Sequence, residues 1–399
     1  MSLTVNLLMT DPNPLLLLLL FLAVAAGWVL GRGGNSRDVA EQEAPPAQYY
    51  LGLNFLLDGE QESALKAFSE ALAVNADTFE THITFGNLLR KRGEVDNAIK
   101  IHQSLLSREN LPDIQKHQAH LELARDFIAA GLMDRAEQLL EDLQELSTEH
   151  KQESRILLID VFEAQRDWAK AKQLLREKIS AETLSVEKQA KLEKTGAHYC
   201  CEEAEDALAG GDLELADTLV KEAYSWSDDT IWPSVIAAAI EGKRGQPRAA
   251  LDRLLAAAAQ DPSFVIELWP DATSYADEID AQPELLLFLR GIAGNSRDPA
   301  LRVLLIDELI ASGDIELASE LVTEGVEETP STPLLSRYAA IHEEKFATAE
   351  WRLVSQAATA VSVKQSAYRC GVCGFHGPSF YWRCPGCKEW ETLDRVKKR

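Results

Sequence analysis

Positive charge is scarce in this chain of 399 residues, which has 40 Lys and Arg against 64 Asp and Glu and a formal net charge of -24. Proteins that bind nucleic acid need clustered positive charge to meet the phosphates, and an acidic excess opposes this. The sequence also has no H-E-x-x-H, P-loop, G-x-S-x-G or Rossmann fingerprint. We therefore expect no nucleic-acid partner and no enzymatic activity.

Cysteine is rare as well, with six residues in the whole chain. Six are too few for a disulfide scaffold of this length. Cys200 and Cys201 are adjacent in a predicted helix and are expected to be ordinary buried residues. The other four form two Cys-x-x-Cys pairs in the last thirty residues, a pattern typical of a metal site in a reducing compartment such as the cytosol.

One long apolar run, LLLLLLFLAVAAGWVL, occupies residues 15–30. At 1.5 Å per residue it spans about 24 Å, a marginal length for a hydrocarbon core of roughly 30 Å unless flanking residues contribute. A signal peptide needs a basic leader, but Asp11 is the only charge before the run, and Arg32 and Arg37 follow it. The positive-inside rule predicts a single-pass anchor, residues 1–31, with the N-terminus outside the cytoplasm and the bulk of the chain inside.

Two features flank the end of this anchor. Gly27 and Gly31 have the spacing that lets two membrane helices approach closely, so they are candidates for contact with a partner's membrane helix. Two small residues near a helix end are the alternative interpretation. Residues 32–46 are polar, contain Gly and Pro, and predict a flexible tether with a span on the order of 22 Å. The tether would hold the following body close to the membrane.

The body, residues 47–360, is repetitive. A pattern of small and apolar residues around Gly59 recurs 34 residues later around Gly93 and, with four extra residues, around Gly131. These are the spacings of the tetratricopeptide repeat, in which two antiparallel helices meet through small residues and a glycine closes the first helix. Weaker copies follow around Ala171, Ala216, Ala250 and Ala318. The copy near residues 263–296 is poorly formed, but the pattern as a whole predicts an all-α tetratricopeptide-repeat superhelix.

The first helices of such an array line a groove that binds peptides or proteins. The predicted groove positions are Ile83, Asn87, Arg90 and Lys91 in the second copy and Leu121 and Arg125 in the third. An Asn amide can bind a partner's backbone, and Arg and Lys can bind carboxylates. The competing interpretation, that the basic run is a solvated helix face, is the more common one for any single residue.

The last residues, 367–399, carry the sharpest chemical signal. Two Cys-x-x-Cys pairs separated by ten residues can place four thiolates at the corners of a tetrahedron. The predicted ligands are Cys370, Cys373, Cys384 and Cys387. About thirty residues cannot bury a sufficient core, so one bound zinc or iron ion is expected to fold this segment. A thiolate-bound iron would also permit electron transfer.

Several motifs together resemble one known family. They are GWVLGR at 27–32, LGLNFLL at 51–57, GNLLRKRGEVDNAIKIHQ at 86–103, and the closing C-x-x-C-G-F and Y-W-x-C-P-x-C-x-x-W. The chain resembles the lipopolysaccharide assembly protein B family of Gram-negative bacteria over nearly its whole length. The resemblance implies a small rubredoxin-like zinc ribbon packed against the repeats, with the four cysteines as metal ligands. Lys388 departs from rubredoxin-type knuckles, which often have Gly there, and this leaves zinc versus iron open.

The resemblance also implies a function, that of a non-enzymatic adaptor at the bacterial inner membrane. Family members hand the deacetylase that commits precursors to lipid A over to a membrane AAA metalloprotease, and an inner-membrane lipopolysaccharide sensor restrains this. A homo-oligomer is compatible with such a role. The rival interpretation is an electron-transfer protein that uses a rubredoxin-type iron centre and docks through its repeats.

Overall fold

A computed structural model describes residues 79–108, 111–181, 183–296 and 298–342, the C-terminal segment 368–396, and isolated residues between 50 and 67 and between 351 and 357. The predicted anchor, residues 1–31, and the tether lie outside these ranges. No helix within the described ranges is long and apolar enough to cross a membrane. The chain forms two compact units, Met1–Glu122 and Leu123–Arg399.

The described ranges contain fifteen α-helices, arranged as seven successive pairs followed by a fifteenth helix. In chain order they are α1 Phe79–Lys91, α2 Val95–Leu106, α3 Asp113–Ala129, α4 Met133–Leu146, α5 Lys151–Gln165, α6 Trp168–Ala181, α7 Val186–Ala209, α8 Leu213–Trp226, α9 Trp232–Lys243, α10 Pro247–Gln260, α11 Val265–Glu278, α12 Gln282–Asn295, α13 Pro299–Ser312, α14 Ile315–Glu328 and α15 Thr332–Ile341. Odd numbers are the first helices of the pairs and even numbers the second. The predicted tetratricopeptide-like helix pairs are thus present.

The small residues that define the repeats lie where the pattern requires them. Six alanines, each the fourth residue of a second helix, are fully buried at 0% exposure: Ala98, Ala136, Ala171, Ala216, Ala250 and Ala318. A methyl side chain at this point lets the two helices of a pair approach closely. Gly93 and Gly131 follow first helices with φ of +83° and +76°, a conformation that favours glycine. The predicted role of these two glycines is confirmed.

The poorly matching copy near residues 263–296 nevertheless folds as the pair α11 and α12. Pro262 starts a short 3-10 turn directly after α10, where the repeat pattern ends its second helix. Helix α11 then buries Val265, Leu268, Trp269, Ala272 and Ala276, which follow helical spacing. This segment lacks most residues of the repeat pattern but keeps apolar residues at helical spacing. The helix pair forms because these apolar residues can still be buried.

Two of the predicted groove positions belong to the core instead. Ile83 is 5% exposed and packs in a cluster with Phe79 and Leu105, and Leu121 is 2% exposed. A first helix in a stacked array packs against helices on both sides, which buries more of its surface than an isolated pair would. The prediction that Ile83 and Leu121 face a groove is therefore wrong.

The C-terminal residues form a small ribbon within the unit Leu123–Arg399. Its antiparallel sheet has the order β2-β1-β3, with β1 Tyr368–Cys370, β2 His376–Gly377 and β3 Leu393–Arg395. A small cluster of Tyr368, Leu393 and two of the cysteines forms its interior. The ribbon packs on first helices of the array, which positions its cysteines as described next.

Candidate metal centre and its docking face

The four predicted ligands come together at one end of the ribbon. Their sulfur atoms all lie within 4.8 Å of one another. Cys370 Sγ lies 3.7 Å from Cys387 Sγ, and Cys373 Sγ lies 3.7 Å from Cys384 Sγ. A tetrahedral ion with bonds of about 2.3 Å needs sulfur atoms about 3.8 Å apart. The residues therefore fit one metal ion, and four thiolates suit zinc and iron alike.

Each Cys-x-x-Cys pair sits on a tight turn of the same form. In the first turn, the Gly374 N–H donates to the Cys370 carbonyl at 3.1 Å. In the second, the Lys388 N–H donates to the Cys384 carbonyl at 2.9 Å. Gly374 has φ +76° and Lys388 has φ +64°, so both adopt the left-handed conformation. Glycine adopts it freely, whereas a side chain such as that of Lys388 costs about 1–2 kcal/mol.

Cys370 of the centre differs electrostatically from the cysteines buried in the repeats. The Glu389 N–H lowers the pKa of Cys387, but burial and the neighbouring sulfurs outweigh it and raise that pKa to about 12. The Cys373 N–H at 3.5 Å from the sulfur, together with the Thr392 hydroxyl at 3.3 Å, lowers the pKa of Cys370 to about 6. In contrast, burial raises the pKa of Cys200 to about 12, and Cys200 and Cys201 are both 0% exposed. Only the thiolate binds a metal. Cys370 is thus poised as a ligand, and the repeat cysteines are ordinary buried residues as predicted.

Stacked aromatic rings join the ribbon to the repeats. Trp382 stacks on Trp232 at the start of α9, with ring centroids 4.9 Å apart and planes 11° apart. Trp390 stacks on His198 of α7 at 5.0 Å and 8°. Trp232 is 1% exposed, so its ring is covered almost completely. These contacts combine large apolar burial with a fixed ring geometry.

A buried carboxylate of the ribbon, Glu391, adds a polar connection to the same helices. It accepts hydrogen bonds from Lys194 Nζ at 2.7 Å, from His198 Nε2 at 2.9 Å and from the Thr230 hydroxyl. Burial alone raises the pKa of Glu391, but the hydrogen bond and charge of His198, with Lys194 and Thr230, outweigh it and lower the pKa to about 2. The ionised carboxylate is thus stabilised by residues of the repeats.

Two further ion pairs hold the ribbon at its edges. The Arg383 guanidinium binds Glu163 of α5 and lies 5.2 Å from the centroid of the Trp390 ring. On α11, one oxygen of Glu267 accepts from the Tyr368 hydroxyl at 2.6 Å and from Arg395 Nε at 2.8 Å. The ribbon therefore binds four first helices, α5, α7, α9 and α11.

The sequence predicts that Trp382 and Trp390 pack around the centre or against the last repeats. The structure packs them on α9 and α7, and their partners on these helices were not predicted. The chain has eight tryptophans, and Trp168, Trp232, Trp382 and Trp390 all lie at this contact. Trp382 and Trp390 of the small metal domain were the signal that indicated this packing. No spacing rule predicts that Glu163 pairs with Arg383 or that Glu267 pairs with Arg395.

The groove candidates of the first unit take part in contacts within that unit. Arg90 Nη2 lies 2.7 Å from Glu122 Oε2 and 2.7 Å from Asn87 Oδ1. The Arg90 and Glu122 side chains are 17% and 8% exposed, so the ion pair is largely buried. Lys91 is exposed. A role of Asn87, Arg90 and Lys91 in partner binding stays a prediction, and reversing the charge of Arg90 would now be expected to disturb the fold as well.

The remaining candidates lie elsewhere. Arg125 forms an ion pair with Glu153, and both side chains keep substantial exposure, 30% and 47%. This pair connects the first helices α3 and α5 and leaves the Arg125 guanidinium accessible to a partner. Gly27 and Gly31 lie outside the described residues. Partner binding by these three residues also stays a prediction.

Comparison with known proteins agrees with this architecture. A family model described as the rubredoxin metal binding domain matches residues 368–395. The lipopolysaccharide assembly protein B of Escherichia coli K12 is 30% identical over 390 residues, covering 96% of this chain and 98% of its own. The protein of that name from Haemophilus influenzae is 29% identical over 402 residues, with the same coverage of 96% and 98%.

Solved structures show only a weak likeness. A tetratricopeptide repeat protein from Parabacteroides merdae is 16% identical with a TM-score of 0.30, covering 57% of this chain and 97% of that chain. The helix pairs themselves, rather than this likeness, define the fold. Because its identity to the Escherichia coli protein extends over nearly all of both chains, this chain belongs to the lipopolysaccharide assembly protein B family.

Proposed function

We propose that this chain is a non-enzymatic adaptor in lipopolysaccharide assembly, held in the bacterial inner membrane by residues 1–31. Its client is the deacetylase that commits precursors to lipid A, which it presents to a membrane AAA metalloprotease. An inner-membrane lipopolysaccharide sensor restrains this presentation. Membership of the family supports the connection to lipopolysaccharide, because the relatives are named for its assembly.

One structural observation carries the adaptor role: the ribbon covers four first helices. Arg383, Glu391, Trp382 and Trp390 contact α5, α7 and α9, and Arg395 contacts α11. First helices form the usual ligand-binding face of such arrays. Part of that face is therefore permanently occupied by the chain's own metal domain. What remains is a composite surface of helices and ribbon, which suits the binding of whole proteins better than the conversion of a small substrate.

The metal centre fits a structural role in this proposal. Cys370 and Cys384 are 1% and 0% exposed, and they are two of the four buried residues in the ribbon's interior. A bound ion would supply folding free energy that so small a domain lacks. The ion would thus maintain the docked ribbon, and through it the composite surface.

The half-life of the deacetylase in growing bacteria tests the adaptor role directly. In cells whose own copy is deleted, the intact chain should shorten that half-life. A chain with Arg383→Glu, which sets two carboxylates against each other at the contact with α5, should shorten it less. Arg369→Glu is the matched control, because Arg369 is an exposed ribbon residue on β1. A half-life that is the same with and without the intact chain would refute the adaptor role.

A second experiment tests the membrane part. A foreign transmembrane helix in place of residues 15–31 keeps the chain at the membrane but removes Gly27 and Gly31. If these glycines contact a partner's membrane helix, the deacetylase half-life should lengthen although the amount of membrane-bound chain is unchanged. Full activity of the foreign-anchor chain would show that the segment only locates the protein.

Electron transfer is the second candidate function, and the geometry of the metal centre is compatible with it. The sulfur separations suit iron as well as zinc, and Cys373 is exposed at the surface, where a redox partner could approach. The visible spectrum of freshly purified protein separates the two functions. Zinc bound by four thiolates is colourless, and a structural zinc ion is sufficient for an adaptor. A red iron centre that cycles between oxidation states would support electron transfer.

A further inference from the structure

An open cavity of about 860 Å³ lies between the ribbon and the helices α11, α13 and α15. Its walls include Glu267 of α11, Val303 of α13 and Arg337 of α15, with Leu393 and Arg395 from strand β3 on the ribbon side. Cavities of about 300–1,000 Å³ are the size that binds ligands in proteins. We call this cavity the ribbon cleft.

The strand that lines the ribbon cleft has an unpaired edge. In the order β2-β1-β3, strand β3 pairs only with β1 among the described residues. Directly before β3, the Thr392 carbonyl accepts from the Gly371 N–H at 2.8 Å, in the register of the β1–β3 ladder. Because bonded and non-bonded positions alternate in an antiparallel ladder, the backbone groups of Leu393 and Arg395 point away from β1. No third strand pairs with them among the described residues, so this edge can accept another extended chain, at Arg395 more readily than at Leu393, which is 6% exposed.

Two buried oxygen atoms in the cleft wall lack hydrogen-bond partners among the described residues. They are Ser331 Oγ, on a residue only 5% exposed, and Glu267 Oε2. The other oxygen of Glu267 is the one that binds Tyr368 and Arg395. Leaving a buried polar atom unpaired costs on the order of 1–3 kcal/mol, which a ligand with N–H donors would recover. Both atoms therefore indicate a ligand rich in donors.

The charge of the lining points in the same direction. Six carboxylates line the cleft: Asp261, Glu267, Asp298, Asp307, Glu391 and Asp394. Three of these are already paired with cations of the protein: Asp307 with Arg337 at 2.8 Å, Glu267 with Arg395 at 2.8 Å and Glu391 with Lys194 at 2.7 Å. The two guanidinium groups of the lining are thus neutralised, and Asp261, Asp298 and Asp394 form no ion pair among the described residues. This excess of negative charge favours a cationic ligand and opposes phosphate-bearing molecules such as nucleotides or anionic lipids.

Apolar side chains complete the surface. Phe264, Leu304 and Phe380 line the cleft beside Val303 and Leu393. A strand sends successive side chains to opposite faces, so one peptide can present apolar residues to this wall and basic residues to the carboxylates. A small cation would leave the apolar wall and the strand edge unused.

We propose that the ribbon cleft binds an extended segment of a partner protein, which adds as a strand to the free edge of β3. The segment carries Lys or Arg in alternation with apolar residues. Its backbone pairs with Leu393 and Arg395, and its basic side chains meet the carboxylates of the cleft. Such binding is independent of which client or protease the adaptor serves.

A random dodecapeptide display library is the probe, and the target is the metal-loaded full chain in detergent micelles. We expect enrichment of peptides in which Lys or Arg alternates with apolar residues. For the best peptide, Asp394→Lys should raise the Kd about tenfold or more, because it places a cation on the cleft strand. Asp271→Lys is the matched control, since Asp271 is exposed on α11 but does not line the cleft. Metal content and tryptophan fluorescence verify that both variants are folded.

N-methylation of single peptide bonds tests the strand pairing itself. Every second N–H group of the bound peptide faces β3, and a methyl group on any of these should weaken binding about tenfold. Methyl groups on the N–H groups between them should have little effect. Equal effects at all positions would overturn strand addition. The absence of enriched peptides, enrichment of acidic peptides, or equal affinity for wild type and Asp394→Lys would overturn the cleft as the binding site.

Discussion

The ribbon meets the first helices in two different ways. Toward α5, α7 and α9, here called the closed side, it is held by stacked rings and by the carboxylate of Glu391. Toward α13 and α15, here called the open side, it leaves the ribbon cleft. The closed side offers large rings such as Trp232, and the open side offers smaller residues and acids such as Val303 and Asp307. The face formed by the first helices thus serves either for docking of the ribbon or for ligand binding, depending on the size and charge of its side chains.

Removing a metal ligand should abolish both sides at once. In Cys373→Ser the sulfur set is incomplete, and the folding free energy of metal binding, about 10–16 kcal/mol for structural zinc in small peptides, is largely lost. We expect residues from about 367 onward to unfold, Trp382 and Trp390 to become exposed, and client degradation to stop, with the repeats still helical. Metal analysis, tryptophan fluorescence and circular dichroism measure this.

Cys200→Ala is the matched control for that experiment, because Cys200 is a buried cysteine outside the centre. It should keep its metal and its ribbon. A Cys373→Ser protein that lacks metal, yet keeps native fluorescence and still supports degradation, would show that the centre is not structural.

Neutralising Glu391 should weaken the closed side in a pH-dependent way. Its pKa is lowered to about 2 in the fold from an ordinary value of 4.5, so the ionised group stabilises the docked ribbon at pH above 4.5. This stabilisation is lost as the pH falls from 4.5 toward 2. At pH 7, Glu391→Gln should lower the unfolding free energy by up to about 3 kcal/mol.

Denaturant unfolding followed by tryptophan fluorescence, with metal in excess, measures that difference. It should shrink as the pH falls below 4.5. Glu389→Gln is the control, because Glu389 pairs with Lys191 on the surface, where ion pairs contribute about 1 kcal/mol or less. Equal effects of the two variants at pH 7 would contradict the role of Glu391.

Truncating one stacked ring should loosen the closed side without touching the metal. Trp382→Ala removes the contact with Trp232, and we expect a loss of about 2 kcal/mol, less than for a fully buried Trp because Trp382 is half-buried. Amide hydrogen exchange in residues 368–396 should accelerate. Trp226→Ala removes a half-buried ring of α8 that lies under the Arg176 guanidinium of α6, and it should leave that exchange unchanged.

Relieving strain in the second cysteine turn should have the smallest effect and should leave both sides intact. Lys388 adopts a left-handed conformation, so Lys388→Gly should stabilise the ribbon by about 1 kcal/mol. Lys388→Ala keeps a β-carbon and should bring no such gain. Competition with a metal chelator compares the three proteins, and equal resistance of the Gly and Ala variants would contradict this explanation.

Features with a local period were predictable from the sequence. Buried alanines such as Ala98 and Ala136 recur at fixed positions in their helices, so spacing alone indicates the pairs. The ligands Cys370 and Cys384 lie in short turns whose geometry depends on neighbouring residues. The left-handed conformation of Lys388 also explains why glycine was expected at that position.

Contacts between distant segments were not predictable. Arg383 and Glu163 are 220 residues apart, and no periodicity connects them. Arg90 was assigned to the groove because it is basic and lies on a first helix, but its partner Glu122 lies in the next repeat. Packing on both sides likewise buried Ile83. Each of these outcomes depends on how helices stack, which a single repeat does not encode.

The distance along the chain between the ribbon and its docking helices sets an order of events during synthesis. A ribosome completes α5 through α11 long before it reaches the cysteines, because the Glu163–Arg383 contact spans 220 residues. Until the ribbon is made and has acquired its ion, Trp232 and the aromatic face around it remain uncovered. The repeats thus depend on the last thirty residues to cover this face. A cell short of the metal would accumulate chains with this face open, the form that chaperones and proteases recognise.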